Sequence, residues 1–193
     1  MMTTTDDMVD NISAILDRAT DKEWSAGLYW YHEANALSWE LDHIRNERAA
    51  GVIAALSPRL RWDKNVDYAR RAYSLKGYDI TPETLSYIPT LNNSRTKALA
   101  MVNGALPRDV LGKGLKTNAF FDNIFRPWDS KRVTVDKHAF DIANGKRTGY
   151  ATVITDKAYR IVENAYVETA YAYSIAPLQA QAIAWVVWRN MYQ

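Results

Sequence analysis

Residues 110–120 read VLGKGLKTNAF and residues 133–145 read VTVDKHAFDIANG. The first stretch spells two short helices joined by a turn at Gly112-Lys113-Gly114. Two glycines one residue apart let the backbone turn tightly and leave its N–H groups bare. Bare N–H groups at a helix start favour an anion, phosphate above all. In the second stretch a β-branched run leads into Asp136, placed to cap a helix that runs to Asn144 and stops at Gly145. Lys116 lies two residues past Gly114, and Asp136 lies 20 residues past Lys116. A phosphate-gripping turn, a lysine beside it and an acid further on suggest chemistry on nucleic acid.

Outward from this stretch the chain reads as nearly all helix. Asp6 or Asp7 caps a first helix to about Ala19, with Val9, Ile12, Ile15 and Leu16 on one face. Helices follow over 22–41 and 44–57, the latter apolar and stopped by Pro58. Asp63 is placed to cap the next, Thr81-Pro82 to start another, and Asn92 or Asn93 to open one closed by Gly104. Thr155 or Asp156 begins a long helix to about Ser174, and Pro177 begins the last. The segment Arg132–Val135 looks extended but is too short for a sheet. The expected architecture is all-α, nine or ten helices in two lobes.

A chain of 193 residues with 48% hydrophobic and 24% charged residues is globular and long enough to bury a core. Net charge is only +2, so no global field announces a polyanion. Charge is uneven, however: Arg59, Arg61, Lys64, Arg70 and Arg71 face only Asp63 and Asp67 in the same segment. A local patch suffices for DNA, because phosphate contacts are local. With no Cys, disulfides, thiolate catalysis and iron–sulfur clusters are excluded. His32, His43 and His138 share no ligand spacing, so no metal site is expected. The N-terminus carries no basic-then-apolar signal, and no apolar run nears the roughly 18 residues of a membrane span. The expected setting is the cytoplasm, at the nucleoid in a bacterium, with no membrane partner. Trp24, Trp30, Trp185 and Trp188 sit at helical spacings and are expected in the core.

These residues resemble the helix-hairpin-helix DNA glycosylases of the endonuclease III type, without the iron–sulfur cluster. In that family a hairpin L-P-G-x-G-x-K-T-A is followed by V-D-T-H-x-x-R-x-x-N-R. The matching residues are Leu111, Gly112, Gly114, Lys116 and Thr117, then Val135, Asp136, His138 and Asn144. GVIAALSPR at 51–59 is similar to the family's helix ending L-x-S-x-Q, and WDKNVDYARRAY to its next helix. The resemblance covers about residues 45–145. Lys113 stands where the family usually has an apolar residue, and Ala119 follows Asn118 in reversed order.

The resemblance implies a central lobe at 45–125, with the helix-hairpin-helix at about 106–125. Residues 1–44 would pack with a C-terminal lobe of 126–193 that carries Asp136. A base in double-stranded DNA would flip into the cleft between lobes, and the protein would act as a monomer. Gly112, Lys113, Gly114 and Thr117 would hold the phosphate backbone, with no cofactor beyond a monovalent cation at the hairpin. Lys116 would be the nucleophile at the sugar C1′, forming a Schiff base and nicking the strand. Asp136, at the least an N-cap worth about 1 kcal/mol, would stabilise charge on the deoxyribose and activate the nucleophile. His138 would be structural, capping or bonding a backbone carbonyl, and not a catalyst. Arg59, Arg61 and Trp62 would form a wedge filling the gap left by the flipped base. The readings are thus a DNA N-glycosylase with or without lyase activity, a base-modifying enzyme in the same cleft, a non-catalytic DNA-binding module, or a helical scaffold.

Overall fold

The computed structural model describes residues 3–149 and 151–192. Among the described residues the chain is all-helical, with no strand. Eleven helices run in order: α1 (Thr5–Leu16), α2 (Asp21–Leu41), α3 (Asn46–Leu56), α4 (Trp62–Ser74), α5 (Pro82–Ser86), α6 (Asn92–Val102), α7 (Pro107–Val110), α8 (Leu115–Phe125), α9 (Lys137–Ala143), α10 (Asp156–Ala172) and α11 (Pro177–Met191). No described helix is long and apolar enough to cross a membrane. The chain divides into two compact units, residues 34–126 and residues 1–33 with 127–193. The first division falls inside α2, upstream of the boundary expected at residue 44.

In the continuous unit, α3 is the centre. Its sequence AAGVIAAL leaves no polar face, and every residue from Ala49 to Leu56 is buried. A helix apolar all round has no solvent side, so neighbours must cover it on each flank. They are α4, α6, α7 and α8. Gly51 permits the closest of these approaches: a Cβ there would lie 2.7 Å from Met101 Sδ and 2.8 Å from Pro107 Cγ. That lack of a side chain lets α3 seat both α6 and the start of α7. Phe121 and Ile124 of α8 are fully buried, each worth about 1.5–3 kcal/mol of transfer free energy.

In the other unit, α1 packs on α9, α10 and α11 through Met8, Ile12, Ile15 and Leu16. Thr4, not Asp6 or Asp7, is the N-cap: its hydroxyl accepts from Asp7 N at 3.1 Å, and Asp7 Oδ2 accepts from Thr4 N at 2.9 Å. The Thr4 N–H so placed holds the Asp7 carboxyl below the usual carboxylate range. Gly27 admits α11 to α2, since a Cβ there would stand 2.4 Å from Ile183 Cα. Of the tryptophans expected in the core, Trp188 is buried, whereas Trp24, Trp30 and Trp185 are half-buried. They cover one another and their neighbours at the surface. Trp30 meets Trp185 edge-on at 5.9 Å, Trp24 lies 6.1 Å from Tyr173, and the Arg189 guanidinium stands 4.5 Å from the Trp185 ring.

Candidate nucleic-acid interface

The glycine turn lies in the continuous unit between α7 and α8. Leu111 is buried and anchors it. Gly112 follows with φ +79°, a left-handed conformation that a β-carbon resists. Gly114 is the N-cap of α8 with φ −63° and ψ 119° and offers no side-chain cap. From Gly112 to Thr117 the backbone N–H groups find no acceptor among the described residues. Nothing lies within 4 Å of where a Gly114 Cβ would stand. Lys113 and Lys116 are exposed on this turn and Thr117 is half-buried. The result is a run of donors at a positive helix end, open to an anion.

Three side chains brace the turn, and none was singled out from sequence. Asn118 donates from its carboxamide to Gly112 O at 2.8 Å and Gly114 O at 2.9 Å. Lys97 reaches from α6 to donate to Leu111 O at 2.9 Å. Arg108 of α7 pairs with Asp122 of α8 and lies 4.9 Å from the Phe121 ring centroid. Asn118 had a local signal, sitting one helical turn past Gly114. Lys97 had none, because only the packing of α6 brings it near.

The α3–α4 connection carries the residues expected to form a wedge, Arg59, Arg61 and Trp62. Arg59 is exposed with φ +63°, a conformation uncommon outside glycine and asparagine. Arg61, not Asp63, is the N-cap of α4, and it makes no side-chain cap. The Asp63 carboxylate instead faces Arg61 Nε at 3.4 Å, both side chains largely in solvent. Trp62 opens α4 half-buried and has partners in the fold, so it differs from the arginines that project beside it. Asn65 ties the first turn of α4 to α3 by donating to Ile53 O at 3.1 Å.

Asp136 lies in the other unit, at the end of an extended segment lashed to α10. Tyr159 donates its hydroxyl to Val133 O at 2.7 Å and accepts from Val135 N at 3.2 Å. Burial pushes the Tyr159 phenol up to about 12. Glu163 takes Arg132 Nε at 2.9 Å and Val133 N at 3.3 Å. Tyr31 donates to Gln181 Oε1 at 2.8 Å, its hydroxyl 3.0 Å from Thr134 Oγ1. This lashing fixes the half-buried Asp136 as the N-cap of α9, Oδ1 accepting from Ala139 N at 2.8 Å. Its second carboxylate oxygen takes no donor among the described residues. Burial first, and then the Asp136 charge, push the enclosed Tyr166 phenol well up.

The His138 side chain is exposed and makes no hydrogen bond among the described residues, so it is neither a cap nor bonded to a backbone carbonyl. Its neighbours do that work. Lys137 Nζ donates to Asp141 Oδ2 at 2.7 Å and to Thr148 O at 2.5 Å, and Asp141 Oδ1 accepts from Thr148 N at 3.0 Å. Asn144 is the C-cap of α9, as its spacing suggested, and donates to Phe140 O at 2.8 Å. Among the described residues no cluster of three or more His, Asp or Glu could hold a metal ion. Gly112, Lys113, Gly114, Lys116, Thr117, Arg59, Arg61 and Trp62 therefore share one unit, and Asp136 and His138 belong to the other.

No curated protein and no solved structure matches this chain. A match does run along the sequence from residue 1 to residue 192, and by it the chain belongs to DUF7178, a family of unknown function.

Proposed function

We propose that this chain is a DNA N-glycosylase that removes a modified or damaged base flipped out of a duplex. The observation that carries the reading is the unpaired N–H run from Gly112 to Thr117. It crowns an uncapped α8 between Lys113 and Lys116 and is open at Gly114. Its natural occupant is a backbone phosphate, which fixes position and carries no sequence information. Arg59 and Arg61 project from a loop of the same unit and supply cations and bulk for the gap left by the base. Asp136, with one oxygen spent on its helix cap and one without a donor, supplies the carboxylate that stabilises the developing sugar cation.

Two attacking groups fit. If Lys116 attacks C1′, the base departs with the electrons of the glycosidic bond. The resulting imine then allows elimination of the 3′ phosphate. If Asp136 activates water, base is released and no imine forms.

The test is incubation with duplexes carrying uracil, thymine glycol, 8-oxoguanine, alkylated or hydroxymethylated bases, with and without borohydride. Release of free base from one of them is expected. A trapped adduct lost in Lys116→Gln assigns the amine. Release without an adduct assigns water. Binding with no release on any duplex leaves a DNA-binding module or a base-modifying enzyme, and no binding at all ends the reading.

A further inference from the structure

A half-buried ammonium normally compensates a carboxylate. Lys97 does not: among the described residues no acid lies within 4 Å of its Nζ. Its partner is a carbonyl, Leu111 O, at 2.9 Å. The ammonium also lies against the turn itself, 3.8 Å from where a Gly112 Cβ would stand. One donor of three is used on the carbonyl, and the positive charge stays beside the N–H run. The turn's other braced carbonyls, Gly112 O and Gly114 O, accept from Asn118.

This bears on whether the turn takes an inorganic monovalent cation. Such an ion needs several oxygens converging on it. Three carbonyls of the Leu111–Gly114 turn already accept protein N–H groups, and any ion on this turn would meet the Lys97 charge at close range. The turn is therefore a poor fit for one.

We propose that Lys97 is the built-in cation of this turn. It fixes the turn from α6 and lends its charge to the phosphate seated on the N–H run, so that duplex binding needs no particular monovalent ion. The inference rests on the duplex-binding reading above. Lys97 is a positioning residue for the turn as well as a source of charge, and its long stem lets one N–H stay on Leu111 O while the others face the anion.

The experiment is duplex affinity by fluorescence anisotropy, at one ionic strength, in potassium, sodium or tetramethylammonium chloride. Wild-type affinity is expected to agree within about twofold across the three salts, since screening depends on ionic strength and not on ion identity. Lys97→Met is expected to weaken binding about tenfold, the scale of one charge-assisted contact. Lys97→Arg, which keeps the charge and donors, is expected to restore most of it. Thermal melts of both variants show whether either has lost its fold; the salt comparison on wild type stands whichever way they come out. Affinity that rises severalfold in one alkali salt overturns the inference and leaves duplex binding intact. So does a folded Lys97→Met that binds as wild type. Absence of duplex binding in every salt overturns the duplex-binding reading itself.

Discussion

Gly112 and Gly114 look alike in sequence and differ in structure, and valine at each separates two roles of the turn. Gly114 has φ −63° and ψ 119°, which any residue adopts, and nothing lies within 4 Å of its missing Cβ. Valine there removes chain entropy from the unfolded state, a gain of about 0.4–1 kcal/mol. It also replaces a tolerated N-cap by a poor one, at a cost of about 0.5–1 kcal/mol. The two nearly cancel, so the fold should keep its stability within about 1 kcal/mol, a shift of roughly 2–4 °C at this chain length. Gly112 has φ +79°, where a β-branched residue costs about 1–3 kcal/mol. Binding should divide differently. An isopropyl group at 114 stands over the N–H run and removes one or more charge-assisted hydrogen bonds of about 1.5–3 kcal/mol, weakening affinity about 10- to 100-fold. The slope of log affinity against log salt should flatten by about 0.9 for each phosphate that the protein no longer neutralises. Paired melts and anisotropy titrations across salt read both effects. A Gly114→Val protein that melts normally and binds duplex with wild-type affinity and slope would refute the phosphate seat on this turn.

Two further outcomes follow from the other unit. Asp136→Asn should abolish base release while leaving stability within about 0.5 kcal/mol, because asparagine caps nearly as well, whereas Asp136→Ala should cost about 1 kcal/mol; unchanged turnover in Asp136→Asn would remove the carboxylate from the chemistry. Tyr159, with its phenol raised to about 12, keeps its proton in the folded state after the unfolded chain has lost it near pH 10. The stability that burial confers on the neutral phenol is thus full below about pH 10 and falls by up to about 1.4 kcal/mol per pH unit between about 10 and 12. Denaturant melts of wild type and Tyr159→Phe over pH 8–11 should show the phenylalanine variant less sensitive to alkali, and identical slopes would contradict the assignment.

Features with local causes were legible in the sequence. The Gly112–Gly114 spacing located the start of α8, and the β-branched run into Asp136 located a cap whose hydrogen bond is present. Pro82 and Pro177 open helices where φ is fixed in advance. What was missed depends on partners far along the chain. Asp63 reads as a cap, but it pairs with Arg61, and α4 starts two residues earlier than that cap would place it. The tryptophan spacings of α2 and α11 read as core because periodicity reports a face and not its depth. The unit boundary at 33/34 was invisible, since α2 runs through it with no break in its helical pattern. Lys97 could not be found from sequence, because only the packing of α6 beside α7 brings it to Leu111.

The division of the chain also sets an order of assembly during synthesis. Residues 34–126 are one uninterrupted stretch, and α3 has its partners, α4, α6, α7 and α8, within about 70 residues downstream. That unit can close as soon as α8 has left the ribosome. The remainder cannot, because α1 finds its partners in α9, α10 and α11, which are translated only after α8. At roughly 5–20 residues per second, α1 waits about ten seconds or more with Met8, Ile12, Ile15 and Leu16 uncovered. The nascent chain therefore passes through a state with its middle folded and its beginning unclaimed, and the apolar stripe of α1 is the surface that a chaperone, or another unfinished chain, would meet first.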